Sequence, residues 1–292
     1  MVIVQLTDGL GNQMFQYATG FALALRRGVS LRLEISHYRV HNYRRYLLDR
    51  FNIRAVPISW RRVAYMTGLG LRGGPKQLSR AMQVVLPGFK HLVYTEKHFH
   101  FDTNVLKLPG NVYLSGYWQS EKYFKEFASA LRQEFTVRSA PNAKNAALLQ
   151  MIREVNSVSV HLRRGDYVSD PRTSQTHGAC PVEYYWRAAD QIKRMITAPY
   201  FFVFSDDIEW AKENLRLNAP TVFVDHNGPS HPEEDLRLMS SCKHHIIANS
   251  TFSWWGAWLS DYPEKIVIAP RTWLRRTDLD TRDVVPETWI RL

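Results

Sequence analysis

Apolar and polar positions along the chain follow two alternating periods, and that alternation lays out most of the fold. Val2-Ile3-Val4-Gln5-Leu6 is a short apolar run with β-branched residues, the pattern of a buried strand. Gly9-Leu10-Gly11-Asn12 breaks it as a turn, with Asn12 placed to cap the helix that follows. From Gln13 to Arg27, Met14, Phe15, Ala18, Phe21, Ala22 and Leu25 recur at helical spacing. Arg26 and Arg27 in the last turn, with Gly28 behind them, supply a stop signal. Residues 30–35 alternate as a second strand and complete a βαβ unit.

The pattern weakens between Tyr38 and His100, where arginines, histidines and aromatics mix without a period. Gly68, Gly70, Gly73, Gly74 and Pro75 predict a loop there. The stretch reads as an irregular or partly helical insertion with a solvated basic face, and no chemistry is assigned to it. Order returns at Val112–Trp118, a strand carrying aromatic residues to its end. Glu121 to Phe135 predicts an amphipathic helix with Tyr123, Phe124, Phe127 and Leu131 inward. Ser139-Ala140-Pro141-Asn142 predicts a linker that divides a domain of 1–138 from one of 139–292. After a helix over 143–153, strands at 158–162, 200–204, 221–225, 245–248 and 265–269 alternate with helices at 181–196, 208–217, 232–242 and 252–259. Such alternation predicts an α/β fold with a mostly parallel, doubly wound sheet in the C-terminal half.

Composition narrows the function classes. With 292 residues and 45% hydrophobic positions the chain can build two cores, which excludes low-complexity disorder. A net charge of +11 suits an acidic partner: a nucleotide, a nucleic acid or an anionic membrane face. The chain shows no recognised nucleic-acid motif. Cys180 and Cys242 are the only cysteines, so neither a disulfide framework nor a cysteine zinc site is expected. No run approaches the ~20 apolar residues needed to span a bilayer, and the first residues form a strand, not a signal peptide. The expected setting is cytoplasmic, with peripheral contact at the inner membrane face as the furthest reach.

Candidate chemistry falls where strands end. The strand Val158–Leu162 breaks into Arg163-Arg164-Gly165-Asp166, and ligands of open α/β sheets bind outside such carboxyl ends. Two guanidinium forks there suit a pyrophosphate; pairing of one arginine with Asp166 is the plainer alternative. Asp206-Asp207 follows the next strand, and a guanine-recognising carboxylate, a divalent metal site or a helix cap are the three options. Base recognition is preferred, because hard metals want more oxygen ligands than an S-D-D turn offers. Asn249-Ser250-Thr251-Phe252-Ser253 joins a strand to a helix start, which is a phosphate site or ordinary N-capping. The turn of Gly9, Gly11 and Asn12 is a further anion site or a tight turn without a ligand, and it is not a dinucleotide fingerprint, since no third glycine follows. Trp254, Trp255 and Trp258 are read as packing in preference to a sugar-stacking surface. For a catalytic base, Asp170 on the loop after Arg163 and Asp8 before the first helix are the candidates, with Asp-Pro turn formation as the alternative for Asp170.

Taken together, Gly9–Ala18, His161–Tyr167, Phe204–Asp207 and Asn249–Leu259 resemble the α-1,2-fucosyltransferases, particularly the bacterial ones. The resemblance implies a GT-B-like enzyme with two Rossmann-type halves, the N-terminal one on the acceptor side and the C-terminal one binding the donor nucleotide. It implies transfer of fucose from GDP-fucose to O2 of a terminal galactose with inversion, for surface-glycan synthesis, without metal or other cofactor. Arg163 would match the arginine on the donor phosphates, with Arg164 and His161 beside it. Asp206 or Asp207 would match the guanine-side carboxylate, and Ser250 and Thr251 the phosphate-side hydroxyls. Asp8 departs from the pattern, since a glycine commonly stands before Gly-Leu-Gly-Asn. A glycosyltransferase of another sugar, a carbohydrate-binding module and a basic nucleic-acid-binding protein are the competing readings.

Overall fold

A computed structural model describes residues 1–40, 43–68 and 91–292. The chain forms two compact units, Met1–Phe135 and Thr136–Leu292. The division falls just before the Ser139–Asn142 stretch. Each unit is built on an all-parallel sheet.

The first unit comprises β1 (Val2–Gln5), α1 (Leu10–Arg26), β2 (Leu31–Glu34), α2 (His37–Val40), β3 (Val56–Ile58), α3 (Trp60–Thr67), β4 (Leu92–Thr95), β5 (Val112–Ser115) and α4 (Ala128–Glu134). Its strand order is β3-β2-β1-β5-β4. Parallel sheets are covered on both faces, which is why Val2, Ile3 and Val4 are all fully buried. The chain winds outward from β1 through β2 and β3, then returns on the far side of β1 through β4 and β5. The switch in direction therefore lies between β1 and β5.

Three expectations need correction here. Helix α1 begins at Leu10 with Gly9 as its N-cap, so Asn12 lies inside the first turn and caps nothing; its Oδ1 accepts instead from Gln119 Nε2 at 3.0 Å. Residues 121–135 are not one helix. Ser120 captures the Lys122 N–H and Phe124 adopts φ −142°, leaving single 3₁₀ turns at Glu121–Tyr123 and Lys125–Phe127 before α4. That break lets the adjacent Tyr123 and Phe124 both bury fully. The 38–100 stretch is not merely an insertion either, because it supplies both edge strands of the first sheet, β3 and β4. Short edge strands bury too little to show a hydrophobic period. Of the expected loop, Gly68 closes α3 in a left-handed conformation, whereas Gly70, Gly73, Gly74 and Pro75 lie outside the described residues.

The second unit comprises α5 (Ala143–Glu154), β6 (Asn156–Leu162), α6 (Gly165–Ser169), α7 (Pro171–Thr176), α8 (Val182–Met195), β7 (Pro199–Ser205), α9 (Ile208–Asn214), β8 (Thr221–Phe223), α10 (Pro232–Ser241), β9 (His244–Ile246), α11 (Thr251–Leu259), β10 (Val267–Ala269) and β11 (Ile290–Arg291). Its order is β11-β10-β9-β6-β7-β8, with the switch between β6 and β9. Val158, Val160 and Leu162 of β6 point into one core with Tyr184, Ala188 and Ile192 of α8. Burial of each such side chain stabilises by about 1.5–3 kcal/mol. The alternate positions Ser157, Ser159 and His161 are buried on the other face, where Ser159 Oγ lies 2.8 Å from His245 Nδ1. Trp254, Trp255 and Trp258 are core residues, as the packing reading expected. Trp254 Nε1 donates to the Val284 carbonyl at 2.8 Å, so its polar edge is satisfied inside.

Candidate active site

Strand register assembles the second unit's cluster. Leu162 pairs with Ser205 at the carboxyl ends of β6 and β7, so Arg163 and Asp206 leave the sheet side by side. Arg163 Nη1 meets Asp206 Oδ2 at 2.8 Å and its Nη2 meets Asp166 Oδ1 at 2.6 Å. The Arg164 N–H donates to Asp206 Oδ1 at 2.8 Å, while its Nε donates to Asp207 Oδ2 at 3.1 Å. Arg164 also lies 3.6 Å above the Trp210 ring, a cation–π contact that fixes the guanidinium plane. The pairing of Arg163 with Asp166 foreseen in the sequence is thus present, within a larger network. Each arginine is held in one orientation by carboxylates, yet neither Nη of Arg164 has a hydrogen-bond partner among the described residues. Those N–H groups are available to an anion.

Gly165 leaves space for the Asp206 side chain at this point. A Cβ there would overlap the Asp206 carboxylate, the group that both arginines share. Asp207 caps α9 through Trp210 N at 3.4 Å and is the more exposed of the aspartate pair.

His161 stands one residue before Leu162, buried against the Phe252 ring. Burial, and secondarily the Arg163 charge, lower its pKa to about 3, so it is a neutral imidazole at any physiological pH. Its Nδ1 has no hydrogen-bond partner among the described residues.

Across the switch point, β9 leads to the N-terminus of α11. Ser250 is the N-cap, its Oγ accepting from Phe252 N at 3.3 Å. Thr251 is partly exposed, and its hydroxyl makes no hydrogen bond among the described residues. Two of the expected donor-binding side chains are committed elsewhere. Asn249 Nδ2 donates to the carbonyls of Gly178 at 2.9 Å, His177 at 3.1 Å and Trp273 at 3.2 Å, so it ties two loops to the site. Ser253 is buried and its Oγ donates to the Ser250 carbonyl at 3.2 Å. The sequence placed Tyr167 in the motif after β6 but gave it no role; its hydroxyl donates to the Asn249 carbonyl at 3.2 Å and its ring stacks on His177 at 4.8 Å.

Asp170 needs correction as a base. It is the N-cap of α7, with Oδ2 accepting from both the Thr173 N–H and hydroxyl. Those donors hold its pKa below the usual carboxylate value, the wrong direction for a proton acceptor. The Asp-Pro turn reading describes it.

Gly9, Gly11 and Asn12 belong to the first unit, beside Asp8, the other candidate base, whose partners the sequence did not signal. Tyr43 and Tyr117 donate to the Asp8 carboxylate, and Glu96 accepts from the N–H groups of Tyr117 at 2.7 Å and Trp118 at 2.9 Å. Burial pushes the Glu96 carboxyl up to about 7 from an ordinary 4.5, the two amide donors pulling the other way. The folded chain thus keeps a proton that the unfolded chain releases near 4.5. The associated stability is full below that pH and is lost as pH rises to about 7. In Glu96→Gln the loss is absent, so thermal unfolding across pH 5–8 should show the variant gaining on wild type as pH rises. A pH-independent difference would contradict the assignment.

Residues 77–292 match the sequence profile of glycosyl transferase family 11. The chain belongs to that family. An α-1,2-colitosyltransferase of Escherichia coli is 38% identical over 301 residues, covering 100% of this chain and 99% of the relative. Galactoside α-(1,2)-fucosyltransferase 2 of Bos taurus is 25% identical over 86% of this chain and 66% of its own length. Among solved structures, Arabidopsis thaliana FUT1, as a variant in complex with GDP, superposes with a TM-score of 0.52 at 13% identity, over 91% of this chain and 69% of that one. The family 11 enzyme is thus a glycosyltransferase of GT-B fold. Within the described residues no helix is long and apolar enough to cross a membrane.

Proposed function

We propose that this family 11 glycosyltransferase moves L-fucose from GDP-fucose to O2 of a terminal galactose, with inversion, as a step in surface-glycan synthesis. The reading rests above all on Arg163 and Arg164, preoriented at a switch point opposite the α11 N-terminus. Departure of GDP builds negative charge on the β-phosphate and positive character at the anomeric carbon. Fixed guanidinium groups and helix-end donors stabilise the first charge without reorganisation, commonly the largest catalytic contribution. In this assignment Arg163, Arg164 and the hydroxyl of Thr251 contact the diphosphate. Asp207 faces guanine, while Asp166 and Asp206 are positioning residues that hold the arginines. The net charge of +11 fits peripheral contact at an anionic membrane face, and action in the cytoplasm is part of the same proposal.

The 38% identity to a colitosyltransferase favours one second reading, in which the transferred sugar is colitose. A donor panel against a small set of galactosides separates the two. Turnover of GDP-fucose supports the proposal, and turnover restricted to a nucleotide-activated colitosyl donor overturns its sugar. Thermal stabilisation by GDP but not by oligonucleotides is expected in either case.

No metal is needed in this scheme, because each carboxylate of the cluster faces an arginine and the cations already offset phosphate charge. Turnover is expected to survive exhaustive chelation with EDTA. Loss of activity that magnesium or manganese restores would reassign Asp206 and Asp207 as ligands.

A further inference from the structure

The first unit has its own switch point, between β1 and β5, and the Asp8 group stands at its carboxyl end. Asp8 follows β1, Tyr117 follows β5, and Tyr38 and Tyr43 follow β2. Ligands of open α/β sheets bind in such crevices.

We propose that Asp8, Tyr43 and Tyr117 form a saccharide subsite that binds the terminal galactose of the acceptor. The proposal rests on the acceptor class given above and adds the residues that hold it.

Asp8 has a left-handed backbone, φ 61°, in which its main-chain carbonyl accepts from Gln13 Nε2 at 3.0 Å and the Tyr38 hydroxyl at 3.1 Å. Trp118, next to Tyr117, is left-handed too, at φ 58°. Non-glycine residues in this region are strained, and such strain gathers at ligand sites when the surroundings enforce it. Enforcement is visible here, because Glu96 pins both Tyr117 and Trp118 by their N–H groups.

The Asp8 carboxylate does not cap α1, a position held by Gly9. Its Oδ1 accepts from the Tyr43 hydroxyl at 3.1 Å and its Oδ2 from the Tyr117 hydroxyl at 2.9 Å. Both tyrosines are exposed, Tyr43 at 64% and Tyr117 at 40%, so a ligand can reach the hydroxyl pair, and the Tyr43 ring is held edge-on to His37 at 6.0 Å. The chemistry selects a class. A carboxylate repels phosphate, and one carboxylate among phenols, with the His37 imidazole 3.3 Å from the Tyr43 hydroxyl, is too poor in oxygen charge for a divalent cation. A neutral polyol fits, since paired hydroxyls can take over the tyrosine donations to both oxygens. Galactose adds an apolar C–H face that lies against an aromatic ring.

The test uses the full-length protein with Tyr43→Ala, Tyr117→Phe and Asp8→Asn, each checked by thermal unfolding. The acceptor KM should rise about tenfold in Tyr43→Ala and Asp8→Asn, and less in Tyr117→Phe, which keeps the ring. GDP affinity by calorimetry should stay at the wild-type value. Saturation-transfer NMR with methyl β-galactoside and no donor present should show contact in wild type that Tyr43→Ala loses. Because that binding measurement needs no donor, it separates the subsite from the donor assignment. If wild type binds galactoside but does not use GDP-fucose, the donor reading fails and the subsite stands. An acceptor KM within twofold of wild type, or undiminished saturation transfer in Tyr43→Ala and Asp8→Asn, would overturn the subsite.

Discussion

Replacing Arg163 with lysine is expected to lower kcat/KM by about 10²-fold, roughly 3 kcal/mol, although the charge is kept. The reason is geometric. Arg163 spans two carboxylates, Asp206 through Nη1 and Asp166 through Nη2, and presents the remainder of a planar fork at the end of β6. An ammonium on a flexible stem reaches one such partner at a time and cannot hold a fixed plane toward two phosphate oxygens. The fold should survive, because the side chain is partly exposed and lies outside the core of the second unit. Steady-state kinetics with GDP affinity measured alongside checks the prediction. Both should fall, and near-wild-type turnover would remove the clamp.

The second large effect comes from a single methyl group. Gly165→Ala places a Cβ on the Asp206 carboxylate, which must then move away from Arg163 and from the Arg164 N–H. Displacement of catalytic groups by about 1 Å costs on the order of 10²-fold in rate, and that is the expected fall in kcat/KM. Thermal stability should change much less, because Asp206 is a strand-end residue and the cores on either face of the sheet are untouched. An active Gly165→Ala enzyme would mean that the Asp206 position does not matter to catalysis.

Periodicity carried the fold where elements are long or buried on both faces. Helix α1 and strands β1, β6 and β7 are legible because nearly every apolar position meets a core. The edge strands β3 and β4 were not, since each is only three or four residues long and exposes apolar residues such as Val56 and Leu92, which blurs the alternation. The helix expected over 121–135 failed for a different reason. Its apolar positions are real, but the Ser120 side chain competes for the Lys122 N–H and breaks the first turn.

The site was legible in the same uneven way. Strand ends followed by charge changes marked Arg163, Arg164, Asp206 and Asp207, because a polar residue that ends a buried strand has few structural reasons to be there. Side chains whose roles depend on distant partners stayed ambiguous. Asn249 looks like a ligand-binding residue, yet the carbonyls it holds are those of residues 177, 178 and 273. Asp170 looked like a base and is a cap. The tyrosines on the Asp8 carboxylate come from segments 35 and 109 residues away in sequence, and the second of these juxtapositions depends on the pairing of β1 with β5.

The most direct measurement is the product itself. The full-length enzyme is incubated with GDP-fucose and a β-galactoside, and the purified product is read by NMR. One new fucosyl residue is expected in the α configuration, opposite to the donor's, with a long-range correlation from its H1 to C2 of galactose. No product, a β-linked fucose, or attachment at any other galactose carbon would contradict the proposed transfer.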